Sequence, residues 1–223
     1  MRAMSADARA SARRRRSVVS GVLAAGVLAA VAATTTVVAA DDPAAAGTGA
    51  QSFDPVEYAD ERYESEVVAT VEDEAVELTD LLPQIIADPE AAGEEHGHRD
   101  GVSSPYAYPV TGTGVAGAVD GTLLPVAVEG LPEGVEVVLQ VGPAVNGTAL
   151  RDATGLIGFD DFLNQIEYAD VATELNNKVK EQVLAGFDAA GAAGSTVSFT
   201  GAFAYGSNTA LLQVTPVSLE VQP

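Results

Sequence analysis

Seven polar residues between positions 151 and 168 form the set in this chain best equipped to grip a ligand: Arg151, Asp152, Asp161, Asn164, Gln165, Glu167 and Tyr168. A guanidinium offers a planar fork of donors, carboxylates accept, and side-chain amides do both, so together they could hold hydroxyls or a carboxylate. Asn164, Glu167 and Tyr168 recur at spacings of three and four, which on a helix puts them on one face. The same residues admit a plainer role, in which Arg151 pairs with an acid to pin a helix and the amides bond to loop backbone. Asp160 and Asp161 are neighbours that point apart at a helix start, so they form no ready acid/base pair for glycoside cleavage.

His96 and His98 are the only histidines, set in Glu94-Glu95-His96-Gly97-His98-Arg99-Asp100. A His-x-His pair among carboxylates can bind Zn, Cu or Ni weakly; a solvated polar loop accounts for the same residues. A Ser-His-Asp triad would need one of these two, and no Gly-x-Ser-x-Gly elbow is present. Gly112-Thr113-Gly114 lacks the helix that a phosphate loop or dinucleotide fingerprint requires. With no cysteine in the chain, thiolate catalysis, Cys-ligated zinc and disulfides are all removed. No catalytic residue and no cofactor is therefore assigned.

Charge excludes another class. Six of the eleven bases, but only one acid, precede position 41, which leaves five bases against 31 acids and a formal charge of −26 on the remainder. Nucleic-acid binding begins with neutralisation of phosphates by Lys and Arg, so DNA and RNA are not expected partners. The acids read first as a solvated surface that favours solubility.

The elements that must position these residues follow from pattern. Residues 1–16 form a basic cytoplasmic N-terminus, and Arg13 to Arg16 lead into an uncharged Ala/Val-rich run from Ser17 to Ala40. As a helix that run would reach about 36 Å, enough to cross a bilayer as a signal anchor, and it also fits a cleavable signal peptide. The flanking arginines stay in the cytoplasm, sending the rest of the chain outside, on the membrane or secreted if 1–40 are removed. Residues 41–52 read as a flexible linker, and 53–223 as an extracytoplasmic domain.

Within that domain, 53–92 is helical. Asp54-Pro55 opens a first helix, a second is expected from Asp73 to Ile86 with Pro83 kinking or dividing it, and a polar loop follows from Gly93 to Gly101. The period then changes to two. Runs at Tyr106 to Val110, Val115 to Val119 and Leu123 to Val128, the Asp120-Gly121 turn, and the alternation from Val135 to Val141 predict a three-stranded meander. A long helix capped by Asp160 is expected next, with Phe162, Ile166, Ala169, Ala172, Leu175, Val179 and Val183 as its buried stripe. Strands around Val197 to Phe203 and Val217 to Val221, the latter preceded by a β-run at Leu211 to Thr215, close the chain. Three strands, a helix and two strands over 105–223 is the order of an α+β, five-stranded OB-like Greek-key barrel, in which the helix lies between strands three and four.

Phe53-Asp54-Pro55-Val56-Glu57-Tyr58, Gly142-Pro143, Gly147 to Asp152, Phe159 to Ala169 and Ser198 to Phe203 together resemble the bacterial "predicted periplasmic lipoprotein" family of unknown function. The similarity spans about residues 53 to 221 and is most specific from Gly147 to Asn176. The resemblance implies an extracytoplasmic, membrane-tethered protein, encoded beside ribose-type ABC sugar importers, without established activity. This chain lacks the lipobox cysteine, so a transmembrane anchor or free secretion must replace the lipid. Two functions stay open: a non-enzymatic binding or accessory protein, tethered at the membrane beside sugar ABC transporter subunits, or a secreted hydrolase or metal-binding protein using acids near the central helix.

Overall fold

The structure, a computed structural model, describes residues 53–206 and 210–223; the basic segment 1–16, the apolar run 17–40 and the linker 41–52 lie outside the described residues. Among the described residues no helix is long and apolar enough to cross a membrane.

Asp54 opens the first helix as its sequence suggests: its carboxylate accepts from the amides of Val56 and Glu57, and Pro55 occupies the first position. Helix α1 (Pro55–Arg62) runs through a π-helical turn (Tyr63–Val68) into α2 (Ala69–Glu74). The second helical stretch breaks earlier than Pro83 would suggest. Val76–Glu77 form a short strand, β1, paired in parallel with Val110 and Thr111, and α3 (Leu78–Ala87) continues through Pro83. The backbone hydrogen bonds gained at Val76 and Glu77 decide where the chain leaves the helix. Helix α4 (Pro89–His96), capped by Asp88, extends into what reads as a polar loop.

Five long strands make a closed barrel of OB topology: β2 (Ala107–Ala116), β3 (Leu123–Ala127), β4 (Glu136–Gln140), β5 (Thr196–Ala204) and β6 (Leu211–Val221). The order is β2-β3-β4-β6-β5, closed by antiparallel pairing of β5 with β2 from Val115↔Thr196 to Ala107↔Ala204; β4 and β6 pair in parallel. The two runs at Tyr106 to Val110 and Val115 to Val119 merge into the single strand β2. Its Gly112 and Gly114 are required by close approach: a Cβ on Gly112 would lie 2.7 Å from the Phe199 ring, and one on Gly114 2.5 Å from the Ala127 carbonyl oxygen. The Asp120-Gly121 turn forms as expected, with Gly121 at φ +62°.

Two apolar clusters hold the domain. Inside the barrel, Tyr108, Val110, Leu124, Leu139, Phe199, Phe203 and Val214 meet Leu78, Leu81, Leu82 and Ile85 of α3. Outside it, Ala107, Ala202 and Val217 on β2, β5 and β6 carry a helical layer. That layer contains Tyr63, Val67 and Val71 of the first helical rod and α5 (Ala149–Ala153). It also contains α6 (Gln165–Lys178), which continues as a π-helical turn (Val179–Leu184).

The register of α6 differs from the expected one. The helix starts after Asn164, whose side-chain oxygen accepts from the amides of Ile166 and Glu167. Asp160 and Asp161 belong instead to a separate 3-10 turn (Phe159–Asp161). The buried stripe is Tyr168, Val171, Ala172, Leu175, Asn176 and Val179, while Ile166 is 71% exposed and Ala169 is exposed. Capping geometry moves the start by four residues, and the face that packs turns with it.

Candidate functional site

Helix α5 places Arg151 and Asp152 against the first turns of α6, because Ala149, Leu150 and Ala153 anchor it in the outer cluster. The Arg151 guanidinium is buried. Its Nε donates to Asp152 Oδ1 at 2.8 Å, Nη2 lies 2.8 Å from the same oxygen, and Nη1 donates to the Tyr168 carbonyl oxygen at 2.9 Å. Its Cζ sits 3.4 Å from the centroid of the Tyr168 ring, a cation–π contact. Asp152 accepts in turn from the Thr148 hydroxyl at 2.6 Å and from the Tyr168 hydroxyl at 3.3 Å. Burial first, and the Asp152 carboxylate next, raise the Tyr168 phenol above its ordinary range; Arg151 opposes them.

Three of the seven candidates, Arg151, Asp152 and Tyr168, are thus brought together, with donors and acceptors turned on one another. Three of the other four serve local backbone. Asn164 caps α6, Glu167 accepts from the Leu163 amide at 3.1 Å, Asp161 accepts from the Gly158 amide at 3.0 Å, and Gln165 is an exposed residue of the first turn. The histidines diverge: His96 Nε2 meets Gln84 Oε1 at 3.2 Å, and His98 Nε2 meets Glu74 Oε2 at 2.9 Å. Among the described residues no group of three or more His, Asp or Glu is arranged to hold a metal ion.

The polar network holds a surface of a different kind. From the end of α5 into the first turn of α6 the chain exposes Leu156 (52%), Phe159 (43%), Leu163 (89%) and Ile166 (71%) within eleven residues. Beneath them lies a ring of aromatics. Phe162 packs on Phe53, Tyr58 and Tyr168 with centroids 5.3 to 5.5 Å apart, and Phe159 stands edge-on to Tyr168 at 5.6 Å. Asp100 fastens the segment from the far side by accepting from the Phe159 amide at 2.9 Å. Scattered exposed apolar residues are ordinary, whereas several concentrated on a braced segment make a candidate interaction surface. Sequence reasoning missed these four because Ile166 fitted an apolar period of three and four. The signal that would have found them is the Asn164-x-x-Glu167 capping pattern, which starts the helix at Gln165 and turns Ile166 to solvent.

A family model described as "Predicted periplasmic lipoprotein (DUF2291)" matches residues 24–220. Among solved structures, the chain is similar to an OB-fold protein from Thermotoga maritima, with 27% sequence identity and a TM-score of 0.63, over 77% of this chain and 100% of that one. No curated protein matches it. The 223 residues contain no cysteine that could carry a thioether-linked lipid.

Proposed function

This chain belongs to the predicted periplasmic lipoprotein family (DUF2291), and from that premise we propose that it is a non-enzymatic, extracytoplasmic accessory protein that captures a membrane-protein partner. Residues 17–40 would tether it, or release it when cleaved, and 41–52 would link them to the domain. The observation that carries the reading is the exposed set Leu156, Phe159, Leu163 and Ile166, braced from below by the Arg151, Asp152 and Tyr168 network. Phe53, thirteen residues beyond the end of the apolar run at Ala40, packs against Phe162 of that segment.

The chemistry favours a protein over the lipid surface. Asp160, Asp161 and Asp170 interleave with the apolar residues, and carboxylates at an anionic bilayer are repelled and costly to desolvate. An apolar surface rimmed by Lys or Arg complements them. The partner class we put forward is an extracytoplasmic part of a sugar ABC importer, as the family resemblance suggests.

The test is a photo-reactive residue in place of Leu163 in the full-length protein in its native membrane, with the crosslinked partner identified by mass. Crosslinking to one membrane-transport subunit is expected, and the Leu163→Asp/Ile166→Asp double variant should lose that partner by tenfold or more while melting like the parent. Retention of the partner by a folded double variant would overturn the reading.

A further inference from the structure

The helical layer covers only one side of the barrel. On the other, the outer face of the β3–β4 hairpin lines a groove of about 640 Å³, walled by Pro125 and Ala127 of β3, Val138 of β4, Leu131 of the connection and Leu211 of β6. We propose that this groove is a second binding site, independent of the 156–166 patch, and that it takes a linear aliphatic diammonium ion, the chemistry of a diamine or polyamine.

Three observations select that occupant. The first is charge. Residues 100–150 contain no Lys or Arg, and two carboxylates line the groove: Asp120 in the β2–β3 turn and Glu136 at the start of β4. Both residues are exposed, and neither carboxylate forms an ion pair or hydrogen bond among the described residues. All five bases of the domain lie elsewhere, on the helices or the loop before β2.

The second is spacing. Leu123 pairs with Gln140 and Val126 with Val137, so Glu136 lies at the far end of the hairpin from Asp120, which bridges Leu123. The rise along β3 puts the two carboxylates at the ends of a trough roughly 13 Å long.

The third is what the walls lack. No lining residue is aromatic, so neither a sugar ring nor a base finds a stacking face. The backbone from Leu123 to Val126 is already laddered to Val137–Gln140. A peptide laid in the groove would bury amides without partners, whereas a methylene chain asks only for apolar walls, and each of its ends asks for one carboxylate. The volume is of small-ligand size.

The experiment is titration calorimetry of the full-length protein with α,ω-diaminoalkanes from diaminobutane to diaminododecane. Affinity should pass through a maximum with chain length. Asp120→Asn and Glu136→Gln should each weaken the best diamine about tenfold, while Glu220→Gln, an acid outside the groove, should not. The Leu163→Asp/Ile166→Asp variant should bind the diamine unchanged, which separates this inference from the partner reading. Affinity that is flat in chain length, or indifferent to both groove carboxylates, would overturn the proposal. So would an oligolysine peptide that binds more tightly than every diamine through the same two acids.

Discussion

Arg151 directs its guanidinium to Asp152, to the carbonyl oxygen of Tyr168 and to the face of the Tyr168 ring, tying α5 to α6 through one side chain. Removing one member of a buried pair leaves the other charge uncompensated, so Arg151→Ala should destabilise the domain by about 3 kcal/mol, read from denaturant unfolding. Arg151→Lys keeps the charge but not the fork, and should recover only part of the loss. If Arg151→Ala melted like the parent and yet lost the partner, the guanidinium would be a contact residue after all. An Arg beside an Asp in a sequence is compatible with both roles, because the roles differ only in what else lies within 3 Å.

Among the elements, α6 shows how a period misleads when its starting point is wrong. Phe162, Ile166 and Ala169 keep helical spacing with Ala172, Leu175 and Val179, yet the chain enters the helix only at Gln165, and Tyr168 and Val171 share the buried face instead. Val171→Asp should therefore unfold the domain, at a cost of about 3 kcal/mol or more. Ile166→Asp should leave the thermal melt unchanged, and equal melts for the two variants would refute this register. Asn164→Ala should cost about 1 kcal/mol through loss of the cap. The other elements were legible to different degrees. Asp54-Pro55 and Asp120-Gly121 act through near neighbours, and both form as read. The division at Ala75 and the merging of two runs into β2 depend on pairing with segments more than thirty residues away.

At the scale of the whole domain, tyrosines are buried in both clusters. Burial pushes the Tyr108 phenol inside the barrel up to about 12, and raises those of Tyr63 and Tyr168 in the outer layer. Each is held protonated in the folded state, so its contribution to stability is constant below the ordinary tyrosine value near 10. The contribution falls as pH rises beyond it, because the unfolded chain then releases protons that the folded one keeps. Denaturant midpoints should hold steady to about pH 10 and drop above it, with tyrosinate absorbance from these three appearing only on unfolding. Among the described residues the Tyr63 hydroxyl has no hydrogen-bond partner, so Tyr63→Phe should unfold less steeply with pH and match or exceed the parent at neutral pH by about 1 kcal/mol. A Tyr63→Phe protein as alkali-sensitive as the parent, and less stable, would refute that burial.

By itself the sequence determined the domain's charge, the absence of thiol chemistry, the order of the five barrel strands and the long helix between them and, through that order, the barrel topology. Those properties depend on composition and on periods that each segment carries alone. Only the tertiary structure decided which face of α6 is buried, whether Arg151 reaches outward or inward, and that Leu156, Phe159, Leu163 and Ile166 stay in solvent. It likewise decided that Asp120 and Glu136, sixteen residues apart, lie at two ends of one groove. A side chain's chemistry is local, but its partners arrive from Tyr168, Asp100 or a strand across the barrel, and no spacing within one segment records them.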